Sequence, residues 1–549
     1  MRVEERARPG HRGPGAGRSD RAMQILGIVV ALLALGAVGL GARVFAEYQW
    51  NRFVDYRSPY LFEVRPGPET PPLTDEVIVV VVDGLREDVA RSLPTFRRIA
   101  EDGSWLTAQT SQPSLSLPGW TLLTTGAPPE ISGVTTNWYE GRVRVDSLFT
   151  SAERAGITTA IVGHAAWEQL YGDVITEGWF GGKDDAASDE EVGRQAIRII
   201  REVHPELLVV HLPDVDNTGH VRGVGPEYQE AAERADAVIA RVLEEAGDDA
   251  TIILTSDHGH IDAGGHGGSE DVVTTTPLVV GGPGTVIGAS GEVSQADVTP
   301  TVAALLGLSR PTHATGTVLV GLLDTSQSSR DEIEEAHAQT AQAFFGRAGR
   351  VLGGEAHDAA SFERLQDAKA RRSALIRLPL VVLALIAAAV LVMFTTRHLH
   401  GGALITGLLV FAAVWAGLFF ARGLSFSFSL FNTEEQISGF LLARTVDSVI
   451  AGVAAALVTG IIAGRRRALG GFRHGVGLAA WILLILAALV GAFVVVYGYS
   501  FTWGLPNLSA AFAEYLALLA MLGVGGGAVL LALVSAGGEW VARPRGYAG

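Results

Sequence analysis

The segment VIVVVVDG, residues 77–84, is a run of valine and isoleucine that ends at Asp83 and Gly84. An apolar run without alternation is typical of a strand that is buried on both faces, as in a parallel sheet covered by helices. Comparable runs, each followed by a turn and an amphipathic stretch, recur at residues 158–162, 207–212, 251–255 and 277–280. The sequence therefore predicts an α/β domain with a mostly parallel sheet over residues 44–324.

Side chains that bind metals or act as nucleophiles follow these predicted strands in five short motifs. Ligands of α/β sheets bind at the carboxyl ends of the strands, so the side chains are expected at one edge of the sheet. Carboxylates and imidazoles in this number suit two adjacent divalent cations, and a serine among them suits phosphoryl transfer. The candidates are Asp83, Ser116, Asp216, His220, Asp257, His258 and His266.

The spacing of the later motifs is compatible with shared ions. In DVDNTGH, Asp216 and His220 are four residues apart, which allows a loop at a strand end to place both on one ion. Asp257 and His258 are adjacent and reach one ion if the backbone turns at the following glycine. His266 lies between glycines, where no bulky neighbour would block a metal.

The nucleophile is expected near a helix N-terminus, where backbone N–H groups favour an alkoxide. Ser116 precedes Leu-Pro-Gly, and proline is favoured in the first turn of a helix, which here would run to Thr125. Spacing alone does not choose between this serine and three rival hydroxyl groups, those of Ser114, Thr121 and Thr124.

The bulk composition limits the class of protein. The chain has 549 residues and a mean hydropathy of +0.29, which is too long for one compact domain and high for a wholly soluble protein. A net charge of −16 argues against a nucleic-acid partner, because phosphate backbones attract basic surfaces. The chain has no cysteine, which excludes disulfides and cysteine-ligated zinc.

The apolar excess lies near the N-terminus and after about residue 375. An apolar run at residues 23–42 is long enough to span a bilayer, although a cleaved signal peptide is the alternative interpretation. Five further apolar spans are predicted at residues 375–394, 403–421, 446–464, 476–496 and 513–536. The predicted organisation is a disordered basic tail (1–21), an anchor (22–43), the α/β domain (44–324), a helical connector (325–372) and a membrane domain of five transmembrane helices (373–549).

The distribution of basic residues predicts the orientation. An arginine-rich N-terminus inside the cell places the α/β domain outside the cytoplasm and both termini in the cytoplasm. Other basic residues that then fall inside are Arg465, Arg466, Arg467, Arg543 and Arg545. One basic patch falls on the outer side, where a helix on anionic headgroups would explain it. It comprises Lys369, Arg371, Arg372 and Arg377.

Taken together, the motifs resemble the alkaline phosphatase superfamily, most closely its type I phosphodiesterase/nucleotide pyrophosphatase branch. The resemblance covers residues 77–308 and implies a three-layer α/β/α domain. It rests on DG at 83–84, PSLSLP at 113–118, LTTG at 123–126, DNTGH at 216–220, SDHG at 256–259 and GHG at 265–267. The departure is a serine at 116 where the phosphodiesterases usually have threonine.

Carried over to this chain, the resemblance implies two metal sites, most suited to Zn²⁺, with Mn²⁺ as the alternative. It further implies that Asn137 contacts a phosphate oxygen, whereas the residue's local sequence is also typical of a turn asparagine. The implied ligands are Asp216, His220 and His266 for one ion, and Asp83, Asp257, His258 and Ser116 for the other.

The function predicted from the sequence is that of a membrane-anchored two-metal phosphoesterase, a phosphodiesterase or phosphatase, that forms a phosphoserine intermediate outside the cytoplasm. One alternative is transfer of a phosphoryl headgroup to a lipid or envelope glycan, because the layout is similar to that of GPI-ethanolamine phosphate transferases. The other is a membrane scaffold or transporter with an inactive phosphatase-like domain. The expected partners are a phosphate ester, lipid-linked in the transfer reading, and membrane lipids; nothing in the sequence indicates an oligomeric state.

Overall fold

The computed structural model describes residues 16–181, 189–431, 434–464 and 469–542. The predicted basic tail lies outside these ranges up to residue 15, and a helix begins at Ala16. Also outside are some of the basic residues that supported the predicted orientation, Arg465, Arg466, Arg467, Arg543 and Arg545.

An eight-stranded sheet forms the centre of the predicted α/β domain. Its strands are β1 Val77–Val82, β2 Gly103–Gln109, β3 Thr159–His164, β4 Glu177–Gly181, β5 Leu207–Leu212, β6 Thr251–Thr255, β7 Thr275–Gly281 and β8 Glu292–Ser294. The order across the sheet is β4-β3-β5-β1-β6-β7-β2-β8. Strand β7 pairs antiparallel with both β6 and β2, and the other pairings are parallel. The predicted mostly parallel sheet is confirmed.

Every residue of β1 is buried, because helices cover both faces of the sheet. Val79 packs into the core on one face, and Val80 packs into the core on the other. The helices before the membrane domain are α1 Ala16–Val54, α2 Glu87–Ala90, α3 Pro94–Glu101, α4 Ser116–Thr125, α5 Pro129–Ser132, α6 Leu148–Ala155, α7 Ala166–Tyr171, α8 Asp189–Val203, α9 Asp214–Arg222, α10 Pro226–Ala246, α11 Asp271–Thr274, α12 Val298–Leu305 and α13 Gln327–Leu352.

Within the described residues, six helices are long and apolar enough to span a membrane, as predicted: α1 and the five helices α14 to α18. The bounds after α13 are α14 Ala359–Thr396, α15 Gly401–Ala421, α16 Glu434–Ala463, α17 Leu469–Tyr497, α18 Leu508–Gly526 and α19 Ala528–Val541. The span predicted at 513–536 is divided at Gly527 into α18 and α19. The predicted α-helical transmembrane region beside an α/β domain is confirmed.

The outer basic patch belongs to α14, which is one continuous helix from the connector into the span. Arg377 donates through Nη1 to the carbonyl oxygens of Val494, Val495 and Val496 at 3.0–3.2 Å. These carbonyls end α17, where a cation satisfies free acceptors and opposes the helix dipole. The contact with the end of α17 therefore explains the position of Arg377 without a helix that lies on lipid headgroups.

Candidate metal centre

The carboxyl ends of β1 and β6 bring together the first cluster, which we define as Asp83, Asp257 and His258. Nε2 of His258 lies 3.5 Å from Oδ1 of Asp83, 3.4 Å from Oδ2 of Asp257 and 3.4 Å from Oγ of Ser116. The backbone N–H of Gly84 donates to the other carboxylate oxygen of Asp257 at 3.1 Å. Four predicted site residues therefore converge on one buried point.

The second cluster, defined as Asp216, His220 and His266, lies beside the first. Its first two members are one turn apart on α9, whereas the sequence predicted a loop at this position. Nε2 of His220 lies 3.3 Å from Oδ2 of Asp216 and 3.1 Å from Nε2 of His266. The groups of possible metal ligands include the two sets that the family resemblance implies, and a third group joins Asp216, His258 and His260.

Buried carboxylates in the first cluster lack a positive partner. Oδ1 of Asp83 and Oδ2 of Asp257 are buried without a hydrogen bond. Burial, and then the charges of Asp257 and Asp216, raise the pKa of Asp83 well above its usual range. Burial raises the pKa of Asp257 to about 7. Closely spaced buried carboxylates are costly unless a cation binds between them, so the donor set fits a divalent ion.

The imidazoles are oriented as metal ligands. Nδ1 of His266 donates to the carbonyl oxygen of Ser114 at 2.9 Å, and Nδ1 of His258 donates to that of Gly259 at 3.3 Å. Each Nε2 lone pair therefore points into its cluster. Burial lowers the pKa of His258 to about 3 and that of His266 well below its usual range. Both rings are neutral, the form that binds metal ions.

Ser116 is the first residue of α4, as its position before Pro118 predicted. The side chain of Asn137 accepts from the backbone N–H of Leu117 at 3.0 Å, and its amide nitrogen lies 3.5 Å from Oγ of Ser116. Asn137 therefore holds the N-terminus of α4 and presents an N–H donor beside the hydroxyl. This position is compatible with contact to a phosphate oxygen.

The three rival hydroxyls are engaged in structural hydrogen bonds. Thr121 and Thr124 donate to backbone carbonyls one turn earlier in α4, at 2.8 and 2.7 Å. Ser114 donates to the carbonyl oxygen of Gly268 at 2.8 Å and accepts from the N–H of Gly267 at 3.1 Å, which ties it to the loop of His266. Only Ser116, of the four hydroxyls, has its Oγ within 3.5 Å of a candidate ligand nitrogen.

Two further histidines orient the carboxylates. His211 in β5 donates through Nε2 to Oδ2 of Asp83 at 2.8 Å, and His260 donates through Nε2 to Oδ1 of Asp216 at 2.8 Å. Neither histidine is among the candidate ligands predicted from the sequence. The missed signal is that a histidine inside an apolar buried strand is costly unless it has a hydrogen-bond partner.

The glycines of two motifs make room for this network. Gly84 has φ +70°, and a Cβ there would lie 2.8 Å from Nε2 of His260 and 2.9 Å from Oδ1 of Asp216. A Cβ at Gly219 would lie 2.7 Å from Nε2 of the same histidine. The glycines in Asp-Gly and Asp-x-x-Gly-His are therefore required by the close approach of His260.

Parts of the membrane-spanning region contact two loops beside the metal centre. On one side, Oγ of Ser429, in a 3₁₀ turn between α15 and α16, accepts from the N–H of Gly268 at 2.9 Å and donates to Oε2 of Glu270 at 2.8 Å. On the other side, the loop of Asn137 packs on α1, where the rings of Trp50 and Trp138 have centroids 5.6 Å apart. The site therefore lies where the α/β domain meets the membrane domain.

The sheet topology and the paired Asp/His clusters define an alkaline-phosphatase-like domain. Residues 77–269 match the sequence model of the type I phosphodiesterase / nucleotide pyrophosphatase family. The resemblance seen in the motifs is confirmed over this range.

Among curated proteins, the chain is similar to GPI ethanolamine phosphate transferase 2, catalytic subunit, of Homo sapiens, with 25% identity over 50% of this chain and 30% of that protein. It is also 27% identical to GPI ethanolamine phosphate transferase 1 of Mus musculus, over 49% of this chain and 35% of that protein. The chain thus spans about a third of these relatives. Of solved structures, murine ectonucleotide pyrophosphatase / phosphodiesterase 5 aligns over 43% of this chain and 96% of its own, with 15% identity and a TM-score of 0.37.

Proposed function

We propose that this protein is a metal-dependent transferase that moves a phosphoryl headgroup between lipid-linked substrates at the membrane surface. From the sequence, hydrolysis of a phosphate ester is the first interpretation and headgroup transfer is the alternative. The alternative is better supported, because the curated relatives reported above are named as ethanolamine phosphate transferases. An inactive scaffold is disfavoured by the intact and convergent Asp/His clusters.

The observation that carries the proposal is the contact between the metal centre and the membrane domain. Ser429 binds the backbone beside His266, and Oγ of Ser509 at the start of α18 lies 3.1 Å from Oγ of Ser269. A domain that only needed an anchor would require one span. Here a turn between two additional spans and the start of a third contact the loop that follows His266, as expected if a substrate reaches the site from the bilayer.

The reaction that fits the residues is a double displacement. Oγ of Ser116 attacks phosphorus, the P–Oγ bond forms, the bond to the first alcohol breaks, and that alcohol leaves with a proton. An acceptor hydroxyl then attacks the phosphoserine, gives up its proton and releases Ser116. Asn137 donates an N–H to a phosphoryl oxygen, while the N-terminus of α4 orients the serine. Water in place of the acceptor would give hydrolysis.

Two divalent ions, when bound, would favour the alkoxide and offset charge on the phosphoryl oxygens. We propose Zn²⁺ for both positions, because a mixture of imidazole and carboxylate ligands without sulfur suits it, with Mn²⁺ as the alternative. The second cluster would hold one ion. The first cluster, with Ser116, would hold the other.

The test uses the full chain in lipid nanodiscs with a phospholipid whose ethanolamine phosphate headgroup is labelled, and a glycolipid acceptor. We expect label on the acceptor, loss of transfer with chelator, and loss of at least about 10³-fold in Ser116→Ala. The matched variant Ser114→Ala, which lacks a hydroxyl tied to the backbone, should retain more activity. Label released only into water would favour the hydrolase instead, and transfer by Ser116→Ala would contradict the nucleophile.

We also propose that the α/β domain faces away from the cytoplasm, with both termini on the cytoplasmic side. The chain lacks cysteine, so single cysteines can be introduced without removing others. A cysteine replacing exposed Ser328 should react with an impermeant thiol reagent on intact cells, whereas one at the N-terminus should not. The reverse pattern would invert the orientation.

A further inference from the structure

A second group of charged residues is buried at the junction of α15 and α16. Nη2 of Arg444 lies 2.9 Å from Oδ2 of Asp447, and Nη2 of Arg422 lies 2.9 Å from Oδ1 of the same carboxylate. The side chains of Arg444 and Asp447 are only 4% and 3% exposed, whereas that of Arg422 is 44% exposed. One carboxylate is thus shared by two guanidinium groups, one deep and one at the entrance. The sequence placed Asp447 at the end of a span, but α16 begins earlier, at Glu434.

The charges in this group do not balance. Within the part of the chain that the structure describes, Asp447 is the only acidic residue paired with either arginine. Nε and Nη1 of Arg444 are buried, and no described group accepts a hydrogen bond from them. A buried guanidinium with unused donors is costly, and an ionisable group inside a membrane helix indicates a functional site. Both features point to an anionic ligand.

The pair lies at the membrane surface on the side of the metal centre. Arg422 directly follows the 21-residue span α15, so it lies at the depth of lipid headgroups. The chain that follows Arg422 leads to Ser429, which binds the backbone of Gly268. An anion held by the arginines is therefore reached from the outer end of the bilayer, next to the α/β domain.

Aromatic side chains separate the arginines from the nucleophile. The Cζ atom of Arg444 lies 5.3 Å from the ring centroid of Phe440, which packs on Phe512 at 5.8 Å. Phe512 packs on Phe428 at 5.1 Å, and Phe428 is adjacent to Ser429. A phosphate at the arginines cannot at the same time be the phosphoryl group attacked by Ser116.

We propose that Arg422 and Arg444 bind a phosphate anion, the phosphodiester of a phospholipid, which stays in place while the reaction occurs at Ser116. Planar guanidinium groups bind phosphate oxygens through paired N–H donors, and the single carboxylate of Asp447 offsets only one of the two positive charges. This inference deepens the proposed function and rests on it only in naming a lipid-linked substrate. The free inorganic anion offers the same chemistry, and the test separates the two sources.

The test measures binding rather than turnover. The full-length protein in a neutral detergent is titrated with phosphatidylglycerol, with diacylglycerol as the lipid without phosphate, and with inorganic phosphate, by native mass spectrometry. We expect saturable binding of phosphatidylglycerol and none of diacylglycerol. Arg444→Gln should weaken binding about ten-fold or more, because charge-assisted hydrogen bonds are lost. It leaves the Arg422–Asp447 pair intact, and Arg422→Gln is the second variant should the first fail to fold.

Two further variants make the result decisive. Asp447→Asn removes the competing negative charge, so it should bind the phosphate more tightly, whereas a merely structural ion network would give no such gain. Arg201→Gln removes a 64% exposed cation from α8, outside the membrane-spanning helices, and should leave binding unchanged. Inorganic phosphate that binds with the same dependence on Arg444 identifies a free-anion site. Unchanged lipid binding in both arginine variants, or weakened binding in Asp447→Asn, would overturn the proposal.

Failure of the proposed function has a different signature. Ser116→Ala should abolish transfer while it retains phosphatidylglycerol binding. If the protein has no transferase activity but Arg444→Gln still weakens lipid binding, the phosphate site is supported and the proposed reaction is not.

Discussion

The two ligand clusters are built by different parts of the molecule. In the first, Asp83 directly follows β1 and Asp257 lies two residues after β6, and their side chains are 5% and 0% exposed. In the second, His220 is 23% exposed on α9, and His266 lies on a loop whose backbone binds Ser429 of the membrane domain. The sheet alone holds the first cluster, whereas the second depends on the contact with the membrane domain.

This difference has a consequence for metal binding. Buried ligands on rigid strands exclude water and hold an ion in one geometry, whereas a partly exposed site exchanges its ion more readily. We expect the ion of the first cluster to bind more tightly and exchange more slowly. Substitutions of one ligand in each cluster test this difference in affinity and exchange.

The largest effect is expected for Asp257→Asn. The amide oxygen can still accept from the N–H of Gly84, but the buried negative charge is lost. Turnover should fall by about 10³-fold, because loss of an ion removes several kcal/mol of transition-state stabilisation, and one metal equivalent should be missing by elemental analysis. The control Asp262→Asn changes a 90% exposed aspartate and should keep both ions. Two ions in Asp257→Asn would refute the role of the first cluster.

A smaller and reversible effect is expected for His220→Gln. The variant should lose the ion of the second cluster and about 10²-fold in turnover. Because His220 is partly exposed, added zinc should restore part of the activity, which it should not do for Asp257→Asn. If a zinc titration restored the activity of both variants equally, the two clusters would not differ in how readily they exchange their ions.

Much of the first cluster was predictable from the sequence. An unbroken apolar run before Asp83 indicates a buried parallel strand, and a second such run precedes Asp257. Because parallel strands end at a common edge, the two carboxylates had to lie close together. The start of α4 at Ser116 was likewise predictable from the proline two residues later.

Other features depend on long-range contacts that no local pattern shows. The antiparallel direction of β7 is set by its pairing with β6 and β2. Strand β2 has polar residues among its apolar ones, so its sequence does not indicate a strand. His211 supports Asp83 only because β5 pairs with β1 in a register that brings Val81 opposite the histidine. The pair of Arg422 and Asp447 joins two helices across a loop, so sequence spacing could not reveal it.

The hydrogen bond that supports the first cluster from within the sheet is tested by His211→Leu. Leucine has no donor, so the substitution removes the hydrogen bond to Oδ2 of Asp83 without a change to a candidate ligand. The affinity of the first ion should fall by about 10- to 100-fold, the usual effect of losing a group that orients a metal ligand. The measurement is a competition titration with a chelator. His357→Leu, at an exposed histidine, is the matched control, and an equal loss of both ions would argue for general unfolding.

The smallest effect, and the one specific to the membrane contact, is expected for Ser429→Ala. This variant removes the hydroxyl that binds the N–H of Gly268 and the carboxylate of Glu270, next to His266. Of the two hydrogen bonds, the one to Gly268 lies in the loop of His266, and loss of about 1 kcal/mol there corresponds to a roughly five-fold weaker ion in the second cluster. The first ion should be unaffected, because its ligands follow β1 and β6. Ser328→Ala, at an exposed serine of α13, should change neither. If Ser429→Ala weakened the binding of both ions equally, the membrane domain would support the whole site and not the second cluster alone. The proposed difference between the two clusters would then be wrong.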